Sequence, residues 1–177
     1  MRIVALRTGE ERDRVYVHLD DGSEVSWSWA SYGDALPHDL VHWVIESRLG
    51  LVEGFWGLVA SGVDPARVSK AAERIATGVH LRDLTARDTS ELVQAEMLTA
   101  AVNALGWQSP HEALAALVES CEGFGVELPE GFDAGRLTSV AAEVDSWAER
   151  WRALWPGDSL ELEFPDPDPT LDEAPPG

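Results

Sequence analysis

Three features of the sequence predict an α+β fold, in which a small antiparallel sheet (N-terminal strands plus a C-terminal strand) is covered on one face by about six helices. Residues alternate like strands near the N-terminus, a helical period with legible starts and stops runs across residues 37–155, and alternation returns at residues 160–164. The last segment shares the pattern of the first, so it is expected to rejoin the N-terminal strands. A single domain is expected over residues 1–164. Residues 165–177 are rich in proline and acid, cannot bury a core, and are expected to form a disordered extension.

The strands come first. Alternation is seen in Ile3/Ala5, in Val15/Val17/Leu19 and in Val25/Trp27/Trp29. A two-residue turn at Asp21-Gly22 would set Leu19 opposite Glu24 and Val17 opposite Ser26, mixing faces that must stay separate. A three-residue loop, Asp20-Asp21-Gly22 with Gly22 left-handed, pairs Val17 with Val25 and Val15 with Trp27 instead, and is the predicted register. It places Arg14, Tyr16, His18, Glu24, Ser26 and Ser28 on the polar face, so His18 reads as a solvated residue opposite Glu24.

The helices follow. The first spans residues 37–49 and stops at Gly50; the second, around residues 53–61, closes with Gly62; Asp64-Pro65 opens a third that ends near Gly78. Asp88-Thr89-Ser90-Glu91 has the form of a capping box and starts a fourth helix, apolar almost all round and therefore central. Ser109-Pro110-His111-Glu112 starts a fifth in the same way, which makes His111 a first-turn residue. The last, residues 136–155, carries Trp147, Trp151 and Trp155 on one arc with Leu137, Val140, Val144 and Leu154, a row that reads as core. In Leu160, Leu162 and Phe164 the strand period resumes, with Glu161 and Glu163 facing solvent.

Composition narrows the function. With 177 residues, 45% hydrophobic and 25% charged, the chain can bury a real core. It has no apolar run long enough for a membrane span and no secretory pattern at its start, so a cytoplasmic, soluble protein is expected. The single cysteine, Cys121, excludes an internal disulfide framework, and Glu119 and Glu122 beside it disfavour a reactive thiolate. Thirty-two acidic residues against 13 basic ones give a net charge of −19, which repels nucleic acid and anionic membranes and suits a basic protein partner.

One constellation can carry metal chemistry. His38 and His42 stand one helical turn apart, with Glu46 a turn further, and imidazoles at that spacing share a helix face and can grip one divalent ion such as zinc. The HExxH helix of zinc peptidases uses the same interval; here Asp39 takes the place of its glutamate, so the likeness is one of spacing alone. Two histidines need a further ligand. Glu46 is one candidate, Glu96 on the more polar side of the fourth helix with Thr99 and Asn103 another, and His80 a third. A carboxylate left off the metal, Asp39 or Glu46, is then the candidate catalytic base. Pro37 puts His38 at the positive end of the helix, which favours the neutral ring a metal needs, while Asp39 beside it pulls the other way.

Two further features stand out. Arg48 falls within the first helix's apolar arc, so it is expected either to snorkel at the helix end or to pair with a carboxylate from the sheet or the fourth helix. The segment Gly54-Phe55-Trp56-Gly57 reads as a tightly packed helix, with exposure of Phe55 or Trp56 as partner-binding anchors the alternative. The leading expectation is a non-catalytic binding or regulatory protein acting through protein contacts; the second is a metal-dependent hydrolase centred on His38 and His42, and a small-molecule pocket between helices and sheet is the third.

Overall fold

The computed structural model describes residues 1–31, 33–76 and 89–165. Among these residues three strands, β1 (Arg2–Leu6), β2 (Arg12–His18) and β3 (Glu24–Ala30), precede six helices, and β4 (Ser159–Glu163) follows them. The helices are α1 (His38–Leu49), α2 (Phe55–Ala60), α3 (Pro65–Ala76), α4 (Ser90–Ala104), α5 (Pro110–Phe124) and α6 (Ala134–Arg152). The sheet order is β3-β2-β1-β4, antiparallel throughout, so the C-terminal strand does rejoin the N-terminal ones. This is the expected α+β architecture.

Register follows from turn chemistry. Val17 faces Val25, Val15 faces Trp27 and His18 faces Glu24, as a three-residue loop requires. The Leu19 amide donates to the Ser23 carbonyl at 2.9 Å, and Gly22 takes φ 85°, a left-handed value open to glycine. One sheet face is therefore apolar: Ile3, Ala5, Val15, Val17, Leu160 and Leu162 are buried against the helices. On the other face His18 Nδ1 lies 3.0 Å from Glu24 in an exposed pair.

Local signals set most helix ends. Gly50, left-handed at φ 70°, ends α1 by donating its amide to the Glu46 carbonyl. Asp64 accepts from the Ala66 amide at the start of α3, and Asp133 from the Arg136 amide at the start of α6. Ser109 and Glu112 form the full capping box of α5. At α4 the cap is Thr89, with Asp88 outside the described residues; Glu91 accepts the backbone amide of Glu53 and so ties α4 to the loop before α2. Helix α4 touches α1, α3, α5 and α6, the central position its apolar circumference predicts.

A side chain at Gly123, inside α5, would meet nothing within 4 Å. Gly123→Ala is therefore expected to stabilise the protein by about 0.5–1 kcal/mol, read as a raised urea midpoint at unchanged slope.

Two expectations need correction. Trp155 lies beyond the end of α6, because the chain turns at Pro156-Gly157, and is 78% exposed. Only Trp151 of the row is fully buried, while Trp147 stands edge-on to Trp43 at 4.8 Å with the Arg150 guanidinium 3.8 Å over its ring. Arg48 is exposed at the helix end, as the snorkelling alternative has it, and the carboxylate beside it comes from α6 instead of the sheet or α4, with Nε 3.4 Å from Glu143. A half-buried charge at the end of α6 belongs to Arg7. Its guanidinium donates to the carbonyls of Trp151, Arg152 and Leu154 at 3.1–3.2 Å and to Asp34 at 2.7 Å, closing the C-terminus of α6.

Candidate metal centre

Helix α1 runs beneath α2 and α4, and its polar residues fall at those two contacts. His42 is 2% exposed and Glu46 0%. Burial of a carboxylate demands strong partners, and α2 supplies them: the Phe55 amide donates to Glu46 Oε1 and the Trp56 amide to Oε2, each at 2.8 Å. Glu46 thereby caps a helix whose own cap residue, Gly54, has no side chain to offer. The missing side chain also makes room, since a Cβ on Gly54 would stand 2.5 Å from the Glu46 carboxyl carbon.

The same Oε1 lies 3.3 Å from His42 Nδ1. A carboxylate fixed on one ring nitrogen sets the other free for a ligand, the arrangement by which outer carboxylates orient metal-binding histidines. His42 Nε2 is 3.3 Å from Glu96 Oε1 on α4, longer than a good N–H···O bond, and makes no hydrogen bond. His38 completes the group, its ring centroid 4.7 Å from that of His42. One ligand atom from each of His38, His42 and Glu96 lies within 4.8 Å of the others.

Of the residues expected to bind metal, His38, His42 and Glu96 come together, and Glu46 stands behind them as the partner of His42. His80 lies outside the described residues. On α4, Thr99 is buried with Glu96, whereas Asn103 is exposed.

Charge in the cluster is held against burial. Burial works against an imidazolium at His42, but Glu46 and Glu96 reverse it and push the ring up to about 10. Burial also raises Glu46, against the pull of His42 and the two α2 amides. Together these groups hold a proton more tightly than they would apart. A divalent ion between His42 and Glu96 would take that proton's place.

The cluster opens into a cleft of about 410 Å³ between β3, α1 and α3. Trp27, Trp29 and Phe55 line it, with Asp39 and Glu73 at its sides. Asp39 accepts from the Trp27 indole at 3.0 Å, and its own carbonyl accepts from the Trp56 indole at 2.6 Å, so it is firmly held. The aromatic wall was not foreseen as a site. Its signal was Trp27 and Trp29 on the core face of an edge strand, where their size leaves a gap beside the small residues Ser69 and Ala72 of α3.

Phe55 and Trp56 are buried, which corrects the alternative of exposed anchors: the tight packing holds instead, and Phe55 contributes to the cleft. Cys121 is also buried, and burial pushes its thiol up to about 11, so little thiolate forms at neutral pH. No helix among the described residues is long and apolar enough to cross a membrane. The chain matches no known family model, no curated protein and no solved structure.

Proposed function

We propose that the protein binds one divalent metal ion, zinc in the first instance, through His42, Glu96 and His38, and that the ion serves hydrolytic chemistry in the adjoining cleft. The observation that carries this reading is the buried Nε2 of His42, which has no hydrogen bond yet lies 3.3 Å from a Glu96 oxygen. Two ligands each about 2.0–2.1 Å from a tetrahedral ion are about 3.3 Å apart, so a distance poor for a hydrogen bond is the edge of a coordination tetrahedron. His38 is half-exposed and free to turn its ring toward the same point.

Three protein ligands leave a fourth position for water, the pattern of catalytic rather than structural zinc. The ion would lower that water's pKa toward about 7. Asp39 is then the base, since it stands in the cleft, whereas both oxygens of Glu46 are occupied by amides of α2. The water proton would pass to Asp39 as the oxygen attacks an electrophilic carbonyl carbon, and return to the leaving group.

Chelator-treated protein without a histidine tag is expected to take up about one zinc per chain by calorimetric titration. Saturating zinc, at about 100-fold above Kd, should add about 2.7 kcal/mol of stability and raise Tm by roughly 5–10 °C. The His38→Ala/His42→Ala variant should show neither effect. A wild type that stays folded and takes up no zinc, manganese or iron would overturn the reading.

A protein-binding role is the second reading. Trp107 and Trp155, 75% and 78% exposed, favour it as aromatic anchors on a chain of net charge −19. The partner suited to that surface is basic, and its capture would weaken steeply with salt.

A further inference from the structure

We infer that the cleft beside the histidines receives a small organic cation, a molecule carrying an ammonium head. This substrate class rests on the metal-centre reading, since the ligand would occupy the same cleft. Its walls select by charge and by surface. Among the described residues no lysine or arginine lines the cleft, while Asp39, Glu73 and Glu96 do, so a phosphate or carboxylate ligand would meet three like charges and no cationic side chain of Lys or Arg.

Three aromatic side chains, Trp27, Trp29 and Phe55, share the lining with the histidines and with small residues. The rings of Trp27 and Phe55 meet at 67° with centroids 6.0 Å apart, forming a corner, and Trp29 lines the same space. Aromatic faces grouped beside a carboxylate attract an ammonium through their quadrupoles, and tryptophan does so most strongly. Asp39 adds a fixed negative charge at that corner. Its Oδ2 is held by the Trp27 indole, and its Oδ1 lies 3.9 Å from His38, so the carboxylate needs no rearrangement when a cation arrives.

Other ligand classes fit less well. A second metal ion wants several oxygen ligands, and the aromatic corner offers one carboxylate. A neutral apolar ligand would strand the charge of Asp39 away from water. An alkyl ammonium satisfies both surfaces, and a volume of about 410 Å³ accommodates a small organic molecule.

The test uses choline and its neutral isostere, the alcohol in which a quaternary carbon replaces the nitrogen. Heteronuclear NMR follows the indole N–H of Trp27 in the full chain, both chelator-treated and zinc-loaded. Choline is expected to shift that signal saturably and to bind about tenfold more tightly than the isostere. Asp39→Asn should erase the preference, because the amide removes the negative charge while its oxygen still accepts from the Trp27 indole and keeps the corner in place. Equal binding of the two probes, or no shift of the Trp27 signal by choline, would overturn the inference. Zinc uptake without a choline preference would sink this inference and spare the metal centre; a choline preference without zinc uptake would do the reverse.

Discussion

Glu46→Ala should lower the unfolding free energy by about 3–5 kcal/mol, the range for breaking a buried ion pair by removing one partner. Three losses coincide. His42 is left charged and buried without one of its two carboxylates, the amides of Phe55 and Trp56 lose their acceptors, and a void opens between α1 and α2. Glu46→Gln keeps the volume and one acceptor oxygen, so its cost should fall near half of that. Urea unfolding of the metal-free protein measures both. A loss under about 1 kcal/mol for the alanine variant would mean that water replaces the carboxylate, and that Glu46 anchors neither α2 nor His42.

Gly57→Ala is the second large effect, at least about 3 kcal/mol of destabilisation, with failure to fold as its extreme. By helix propensity alone the change would help by about 1 kcal/mol, so the sign of the result is decisive. It is set by the loop that folds back over α2: a Cβ at position 57 would overlap the carbonyl group of Val52. Backbone cannot rotate aside as a side chain can. The same substitution at Gly123, where space is open, provides the contrast within one protein. A Gly57→Ala protein as stable as the wild type would show that the 51–54 loop yields easily.

Much of this was legible because the signals are local. The hairpin register follows from Gly22 and the need to keep Val15, Val17, Val25 and Trp27 on one face, and the capping box at Ser109 needs only four consecutive residues. Glu96 could be picked out because it shares the more polar side of a mostly apolar helix with Thr99 and Asn103. The role of Glu46 was not legible, although its place beside His42 was. A helical wheel gives neighbours on one helix, but what occupies the carboxylate is decided by amides of another, admitted by the absence of a side chain at Gly54. Arg48 and Trp155 misled for a related reason. The edge of an apolar arc and the end of a helix are where geometry changes fastest, and there the turn at Pro156-Gly157 and the approach of Glu143 outweigh periodicity. The cleft needed β3, α1 and α3 to be assembled, and no pattern within one segment contains it.

The pairing of β1 with β4 has a consequence for the protein's synthesis. Arg2 through Leu6 leave the ribosome well before their second neighbour, Ser159 through Glu163, which is translated about 150 residues later. At about 5–20 residues per second, one edge of the nascent three-stranded sheet waits on the order of ten seconds with its amides and carbonyls unpaired. Ile3 and Ala5 wait with it, because the helices that cover them are made in the same interval. The newborn chain therefore presents an adhesive strand edge, open to pairing with another nascent chain until its own last strand arrives.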